Sequence, residues 1–246
     1  MLTETTFETA AEAVDDHHHY LTEVPPVPEY MSDVYNWAYI EPRYVEKLDH
    51  NLVVRTLLFL NDRRLMRSYL ERIRPGMRVW QVAHVYGDLV RRAAEKCGPE
   101  GCFHLTDIMP IQVAQGERKL QGLPWAKVFR ADARMFPANE EAPYDLICSF
   151  FLLHEVPDEW KRAIVDNMLR QLPEHGELFF VDYHRPAWWQ PIGYLLKVVN
   201  RWLEPFAEAL WKNEIASFAS QPERFLWEKR TVFGGVYQMV RVTRKP

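Results

Sequence analysis

The chain has 246 residues, 48% of them hydrophobic and 26% charged, which is the size and make-up of one large α/β domain with a substantial core. A formal net charge of −4 leaves no electrostatic footprint for nucleic acid, and no uninterrupted apolar stretch approaches the roughly 20 residues of a spanning helix. Cys97, Cys102 and Cys148 are odd in number and follow an acidic, threonine-rich start with no signal-like core, which argues against a disulfide framework and for a reducing, cytoplasmic setting.

Residues 1–29 read as a flexible arm that closes on Pro25, Pro26 and Pro28. Within it, consecutive side chains such as His17, His18 and His19 rarely converge on one ion, so they read as part of a solvated polar tail. Residues 30–246 read as one domain. It opens with an aromatic segment, Tyr30, Tyr35, Trp37, Tyr39 and Tyr44, and the spacing of Leu57, Leu58, Leu65, Tyr69 and Leu70 then predicts a single helix over 53–73.

Beyond Pro75-Gly76 the pattern alternates. Strands are expected over 77–82, 102–105, 126–130, 144–149 and 178–181, with helices over 88–97, 110–120 and 158–172 between them. That alternation calls for a parallel, doubly wound, Rossmann-like sheet. The last two apolar runs, 231–236 and 237–243, flank Gly234-Gly235 with no room for a helix, so they are expected to form an antiparallel hairpin at the sheet edge. Residues 186–220 carry Trp188, Trp189, Tyr194, Trp202 and Trp211 interrupted by Lys197, Arg201 and Lys212. Such a segment suits either a helical lid over the sheet or a helix at a bilayer interface.

Ligands of open α/β sheets bind beyond the carboxyl ends of the strands. Here those ends carry Gln81 to Asp88, Asp107, Asp132, His154-Glu155 and Asp182-Tyr183-His184. Asp107, at the second strand end and about 20 residues beyond the first loop, stands where a carboxylate accepts both hydroxyls of a ribose. Asp132, followed by Ala133, suits an adenine ring and its amine, and Ile108 beside Asp107 belongs to the same candidate nucleoside site.

Asp107, Asp132, the segment Tyr144 to Ser149, Leu153 to Asp158 and the stretch Tyr39 to Tyr44 together resemble the class I S-adenosylmethionine-dependent methyltransferases of the ubiquinone/menaquinone type. The resemblance covers about Val34 to Thr243. It implies the class I fold and S-adenosylmethionine as cofactor, bound by Gln81, Ala83, Val85, Gly87, Asp107, Ile108, Asp132 and Ala133. One departure stands out. Where such enzymes have an acidic residue and then three alternating glycines, this chain has Gln81, Ala83, Val85 and only a final Gly87. The run Val82 to Asp88, with Tyr35 to Tyr39 upstream, resembles the rhodoquinone biosynthesis family, a relative of the quinone methyltransferases.

That second resemblance implies that ubiquinone becomes rhodoquinone by exchange of a ring methoxy for an amino group. S-adenosylmethionine would be the amino donor and a divalent metal, manganese, would assist. Loss of the acidic residue at Gln81 fits an amine that must be neutral to attack, because a nearby carboxylate would raise its reference pKa of about 7.7–8. Bulk at Ala83 and Val85 is expected to displace the amino-acid end of the cofactor. His84 or Tyr86 would take the proton, with His154 as a further catalytic candidate. Tyr35, Tyr39, Tyr44 and Tyr183 are the candidates for contact with the quinone. His154, Asp182 and His184 are the candidate metal ligands, although a histidine at the position of His154 also occurs in metal-free relatives. A greasy quinone as substrate further implies work at the inner face of a membrane. Two other readings stay open: an O- or C-methyltransferase of a quinone or similar ring, and a non-catalytic scaffold of a quinone-biosynthesis complex.

Overall fold

The structure is a computed structural model and describes residues 25–31, 34–35, 45, 47–136 and 142–246. Beyond Pro75-Gly76 the chain builds one seven-stranded sheet in the order β3-β2-β1-β4-β5-β7-β6. Strands β1 (Arg78–Val82), β2 (Cys102–Asp107), β3 (Ala126–Arg130), β4 (Leu146–Phe150) and β5 (Glu177–Tyr183) run parallel. Strands β6 (Phe225–Val232) and β7 (Tyr237–Arg244) add an antiparallel pair beside β5. The expected fold class is therefore the observed one.

Side-chain alternation sorts the sheet into two cores. Val79, Phe103, Leu105, Leu146, Cys148, Phe179 and Val181 face α2 (Asp62–Leu70), α3 (Leu89–Cys97) and α4 (Pro110–Leu120). Trp80, Val82, Ile147, Leu178, Phe180 and Val240 face the other way, onto α5 (Asp158–Arg170) and α7 (Glu208–Lys212). Both faces being covered, the central strands read as continuous apolar runs. Helix α4 comes close enough to the sheet that a Cβ on Gly116 would lie 2.7 Å from Leu105 Cδ2.

Several boundaries differ from expectation, two of them for a clear local reason. The helix expected over 53–73 is two, α1 (Asn51–Leu57) and α2, because Phe59 and Leu60 take positive φ of 48° and 64°. Asn61 Nδ2 holds that turn by donating to the carbonyls of Leu58 and Phe59. The apolar run Leu57 to Leu60 conceals the break from any periodicity argument. Strand β6 begins at Phe225, six residues earlier than expected, since Glu228, Lys229 and Arg230 guard a sheet edge and mask its strand pattern. Strand β5 runs longer at both ends, and β4 starts two residues later than expected. The aromatic segment folds as α6 (Pro191–Trp202), α7 and a short turn at Ile215–Phe218. Of the expected arm, residues 25–29 are described and dock in part through Arg130 Nη2, which donates to the Pro25 carbonyl at 3.0 Å.

Candidate functional site

The strand order reverses between β1 and β4, which is where an open α/β sheet leaves a crevice. Ala83 and Phe151, the residues leaving those two strands, have φ of 68° and 55°. Left-handed backbone costs a non-glycine residue about 1–2 kcal/mol. Each turn is fixed by a ladder bond to the neighbouring strand: Ala83 N donates to Thr106 O at 2.9 Å and Phe151 N to Val181 O at 2.7 Å.

On the β2–β3 side of the reversal lies an open cleft of about 600 Å³, bordered by Ala83, Asp107, Ile108, Asp132 and Ala133 and roofed by Tyr30, Met31 and Trp160. Asp107 is buried, and its two carboxylate oxygens accept from His84 N (2.9 Å) and Met109 N (2.8 Å). Burial pushes this carboxyl up to about 6 against the pull of those backbone donors. Ile108 N is a third backbone donor to this carboxylate, which has about four acceptor sites in all. Asp132 borders the cleft too, with both oxygens engaged by the Arg134 guanidinium at 2.6 to 3.1 Å. Arg134 in turn lies 3.3 Å over the Trp160 ring, so the acid, the base and the roof form one rigid wall.

On the other side is a larger, mainly apolar chamber of about 1460 Å³ between α1 and α6. His84, Gln112 and Glu155 border both spaces and mark their junction. Val85, Tyr86, Phe151, His154 and Tyr183 line the chamber floor. Gln112 Nε2 donates to the Tyr86 hydroxyl at 3.0 Å. Burial raises the Tyr86 phenol well above its usual range, so it stays protonated.

The two histidines of the chamber, His84 at the junction and His154 on the floor, have opposite charge states. Burial, reinforced by the Lys119 cation, holds His84 well below 6.5 against the opposing Gln112 amide, so it is a neutral imidazole. Burial alone would lower His154 as well, but the Asp182 carboxylate, in contact with Nδ1 at 2.9 Å, overcomes it with help from Glu204 and Glu155. His154 is thereby held at about 9 and is an imidazolium at neutral pH. Asp182 is itself anchored, accepting from Leu153 N (2.8 Å) and Tyr183 N (2.7 Å). His154 Nε2 faces Glu155 Oε1 at 3.7 Å, and the Tyr183 ring packs edge-on at 4.8 Å.

Not every expected site residue joins this arrangement. Gln81 is fully buried in β1, its Nε2 3.4 Å from Ala83 O, and borders neither space. Gly87 is a loop anchor instead: its N–H donates to Asp49 Oδ1 at 2.7 Å, and a Cβ there would meet Asn51 Oδ1 at 2.8 Å. Tyr35 borders neither space and donates its hydroxyl to Glu204 Oε2 at 2.8 Å, tying the N-terminal segment to the end of α6. Tyr39 and Tyr44 lie outside the described residues.

The expected metal set needs correction. His154 and Asp182 touch, but His184 Nδ1 faces the Gly235 carbonyl at 3.0 Å and its Nε2 faces Lys229 Nζ at 3.3 Å. The chain after β5 turns to pair with the β6–β7 turn, His184 N donating to Val236 O, and a cation beside the ring opposes a metal there. Among the described residues no group of three or more His, Cys, Asp or Glu side chains is placed to hold a metal, so the residues do not fit a manganese site.

Sequence reasoning passed over Gln112 and Glu204, and placed Glu155 at a strand end without giving it a role. Gln112 had a signal, a polar residue on the buried stripe of α4 beside Gln115. Glu204, the acid that ends a long apolar run, had a weaker one.

Residues 79–176 match the family model described as a methyltransferase domain. The ubiquinone/menaquinone biosynthesis C-methyltransferase UbiE of Idiomarina loihiensis is 28% identical over 141 residues, 55% of this chain and 55% of its own length. The same enzyme of Ectopseudomonas mendocina is 32% identical over 155 residues, 61% of this chain and 58% of its own. Over these stretches the chain is similar to quinone C-methyltransferases. It spans about half the length of the curated relatives it matches. Among solved structures, the N-methyltransferase NodS of Bradyrhizobium japonicum in complex with S-adenosyl-L-homocysteine has a TM-score of 0.54 at 14% identity, covering 89% of this chain and 100% of that one. This likeness concerns the fold.

Proposed function

We propose that the protein is an S-adenosylmethionine-dependent transferase acting on a quinone or similar aromatic ring. The observation that carries this reading is the junction of the cleft that holds Asp107 and Asp132 with the larger apolar chamber, where neutral His84 borders both spaces and cationic His154 lines the chamber. Titratable groups pushed apart by their surroundings mark acid and base roles. Asp107 would accept the ribose hydroxyls, and Ile108, Asp132 and Ala133 would flank the adenine. When bound, the cofactor supplies an electrophilic methyl on a sulfonium and an α-amino group.

In the chamber, His154 would donate from Nε2 to a ring oxygen and hold it in place, with Asp182 maintaining the imidazolium. His84 would take up the proton that the reacting carbon or amine releases, as its neutral ring allows. Phe151 and Tyr183 would hold the ring, and the apolar walls of α1 and α6 would exclude water. For a methyl transfer to carbon, the reaction named for the C-methyltransferases it resembles, this set would provide both the oxygen contact and the proton acceptor.

A second reading, amino-for-methoxy exchange on ubiquinone, is favoured by two observations. No acidic residue stands at the end of β1, where Gln81 is found, and His154 is a cation suited to polarise a quinone carbonyl rather than to deprotonate a quinol. No step in it is assigned to a metal, because the described side chains offer no site. Incubation with cofactor carrying heavy carbon in its methyl or heavy nitrogen in its amino group separates the two. Heavy carbon in the quinone product supports methyl transfer, heavy nitrogen supports exchange, and neither label in any quinone refutes both.

A further inference from the structure

Helix α6 is apolar on both sides. Gly193, Leu196 and Asn200 face inward and are buried, while Tyr194, Leu195, Val198 and Trp202 face outward at 50–74% exposure. A surface helix of a water-soluble fold normally carries charge on its outer face. Across the chamber mouth, α1 and the turn after it expose Leu52, Leu57 and Leu60 at 53–74%. Trp188 precedes α6 and is 85% exposed. Two leucines, Leu57 of α1 and Leu203 just after α6, line the chamber and are exposed as well, so the apolar surface continues from outside the molecule into the cavity.

The charge carried by these two segments is mostly positive. From Arg185 to Leu203 the chain carries Arg185, Lys197 and Arg201 and no acidic residue. From His50 to Arg67 it carries Arg55, Arg63, Arg64 and Arg67 against Asp62 alone. The whole chain is net negative at −4, whereas the segments that carry the exposed apolar side chains are net positive. Lys197 lies 5.6 Å over the Tyr194 ring, with an apolar stem along the helix and its ammonium at the tip. Among the described residues no helix is long and apolar enough to cross a membrane, which leaves contact with a surface.

We propose that the outer face of α6 and the exposed leucines of α1 dock on an anionic phospholipid bilayer, with the chamber opening into the lipid between these two helices. Aromatic and aliphatic side chains would enter the acyl boundary while Lys197 and Arg201 meet the phosphates, the arrangement of interfacial helices. A lipid-borne substrate would then enter sideways without crossing water. The docking itself rests on exposure and charge; only the sideways entry rests on the function proposed above.

The test is co-sedimentation of the full chain with phosphatidylglycerol-rich vesicles and with pure phosphatidylcholine vesicles. Binding is expected to the first, to be weaker on the second, and to fall with added salt. Replacing Leu52, Leu195, Val198 and Trp202 together by Ser, none of which lines the chamber, is expected to lower partitioning on the order of tenfold or more per large side chain. The double variant Lys197→Glu/Arg201→Glu, which leaves the apolar face intact, is expected to lose the preference for anionic lipid and keeps the question open to refutation if the serine variant fails to fold. Unchanged vesicle binding in both variants overturns the proposal. So does a stable dimer in lipid-free solution that dissociates in the serine variant, since a second copy would then cover the face. Turnover of a short-tailed, water-soluble quinone and calorimetric cofactor binding should be unaffected in the variants. Loss of these in the unmodified chain would refute the proposed function without touching the docking result.

Discussion

Replacing Asp182 by Asn tests the cationic state of His154. In the folded protein the imidazole is held at about 9 against an ordinary 6.5, with Asp182 Oδ1 2.9 Å from Nδ1 and both side chains buried. Such a difference corresponds to about 3 kcal/mol of preference for the charged form. Its sign is fixed by linkage: with the folded pKa raised, the stabilisation is fully present below 6.5 and is lost as pH rises through about 9. Asn keeps one oxygen for His154 and Tyr183 N, but its amide nitrogen then meets the Leu153 N–H that Oδ2 accepts at 2.8 Å. The variant therefore loses the charge and leaves one buried donor unpaired, worth about 1–3 kcal/mol by itself. We expect an overall loss of about 3–5 kcal/mol near neutral pH, as for a broken buried ion pair, and a His154 that titrates below 6.5 because burial is less opposed. Chemical denaturation across pH and histidine ring proton shifts by NMR read both quantities. A His154 in the variant that still titrates near 9, or one in the parent chain that is neutral at pH 7, would refute the assignment.

Three further perturbations address other parts of the site. Asp107→Asn is expected to weaken S-adenosylmethionine binding by about 2–3 kcal/mol, the loss of one charge-assisted bond, as read by calorimetry. Because Asp107 is raised to about 6, the parent's affinity should fall as pH drops through that value, and the ligand-free stability contributed by this group should fall as pH rises from 3.8 toward 6. Lys161→Met removes a fully buried ammonium that donates to Val156 O, Phe206 O and Asp158 Oδ1 at 2.6–3.0 Å. With two buried carbonyls left unpaired, a cost of about 2–4 kcal/mol is expected in urea unfolding. Lys119→Met withdraws the cation that helps keep His84 neutral, so the His84 titration should move upward in NMR; no movement would leave burial as its only cause.

The sheet was legible because its signals are local and repeated. Helix α4 and β3 have the bounds that periodicity and the flanking proline and glycine indicate, and the reversal of strand order follows from alternating strands and helices. Asp107 was legible for the same reason: a strand end is a position on which topology confers a role. What stayed hidden depends on approach through space. Nothing in the sequence tells that Glu204, at the end of an apolar run, comes back to Tyr35 across 169 residues, or that His184 turns away from Asp182 toward the β6–β7 turn. The charge states of His84 and His154 were hidden too. Both are histidines at strand ends, and only their buried neighbours, Lys119 for one and Asp182 for the other, separate them.

The loop after β1 changes meaning once its contacts are considered. From the sequence, the bulk of Ala83 and Val85 in place of glycines is expected to displace the amino-acid end of the cofactor. Ala83 nevertheless keeps a left-handed φ of 68° and borders the cleft, while Val85 lines the apolar chamber. The conformation that glycines would permit is imposed from outside. Asp49 accepts from Gly87 N, Asn51 accepts from Asp88 N at 2.9 Å, and Lys119 donates to Val85 O at 3.2 Å and to Asp49 at 2.6 Å. A glycine loop is adaptable, whereas this one is stitched to the start of α1 and the end of α4. The stitching cation also adds to the burial that lowers His84, so one side chain contributes both to the shape of the loop and to the protonation of the residue at the junction. Restoring glycines at Ala83 and Val85 alone would therefore loosen the loop without returning the acidic residue or removing Lys119, so His84 would stay neutral.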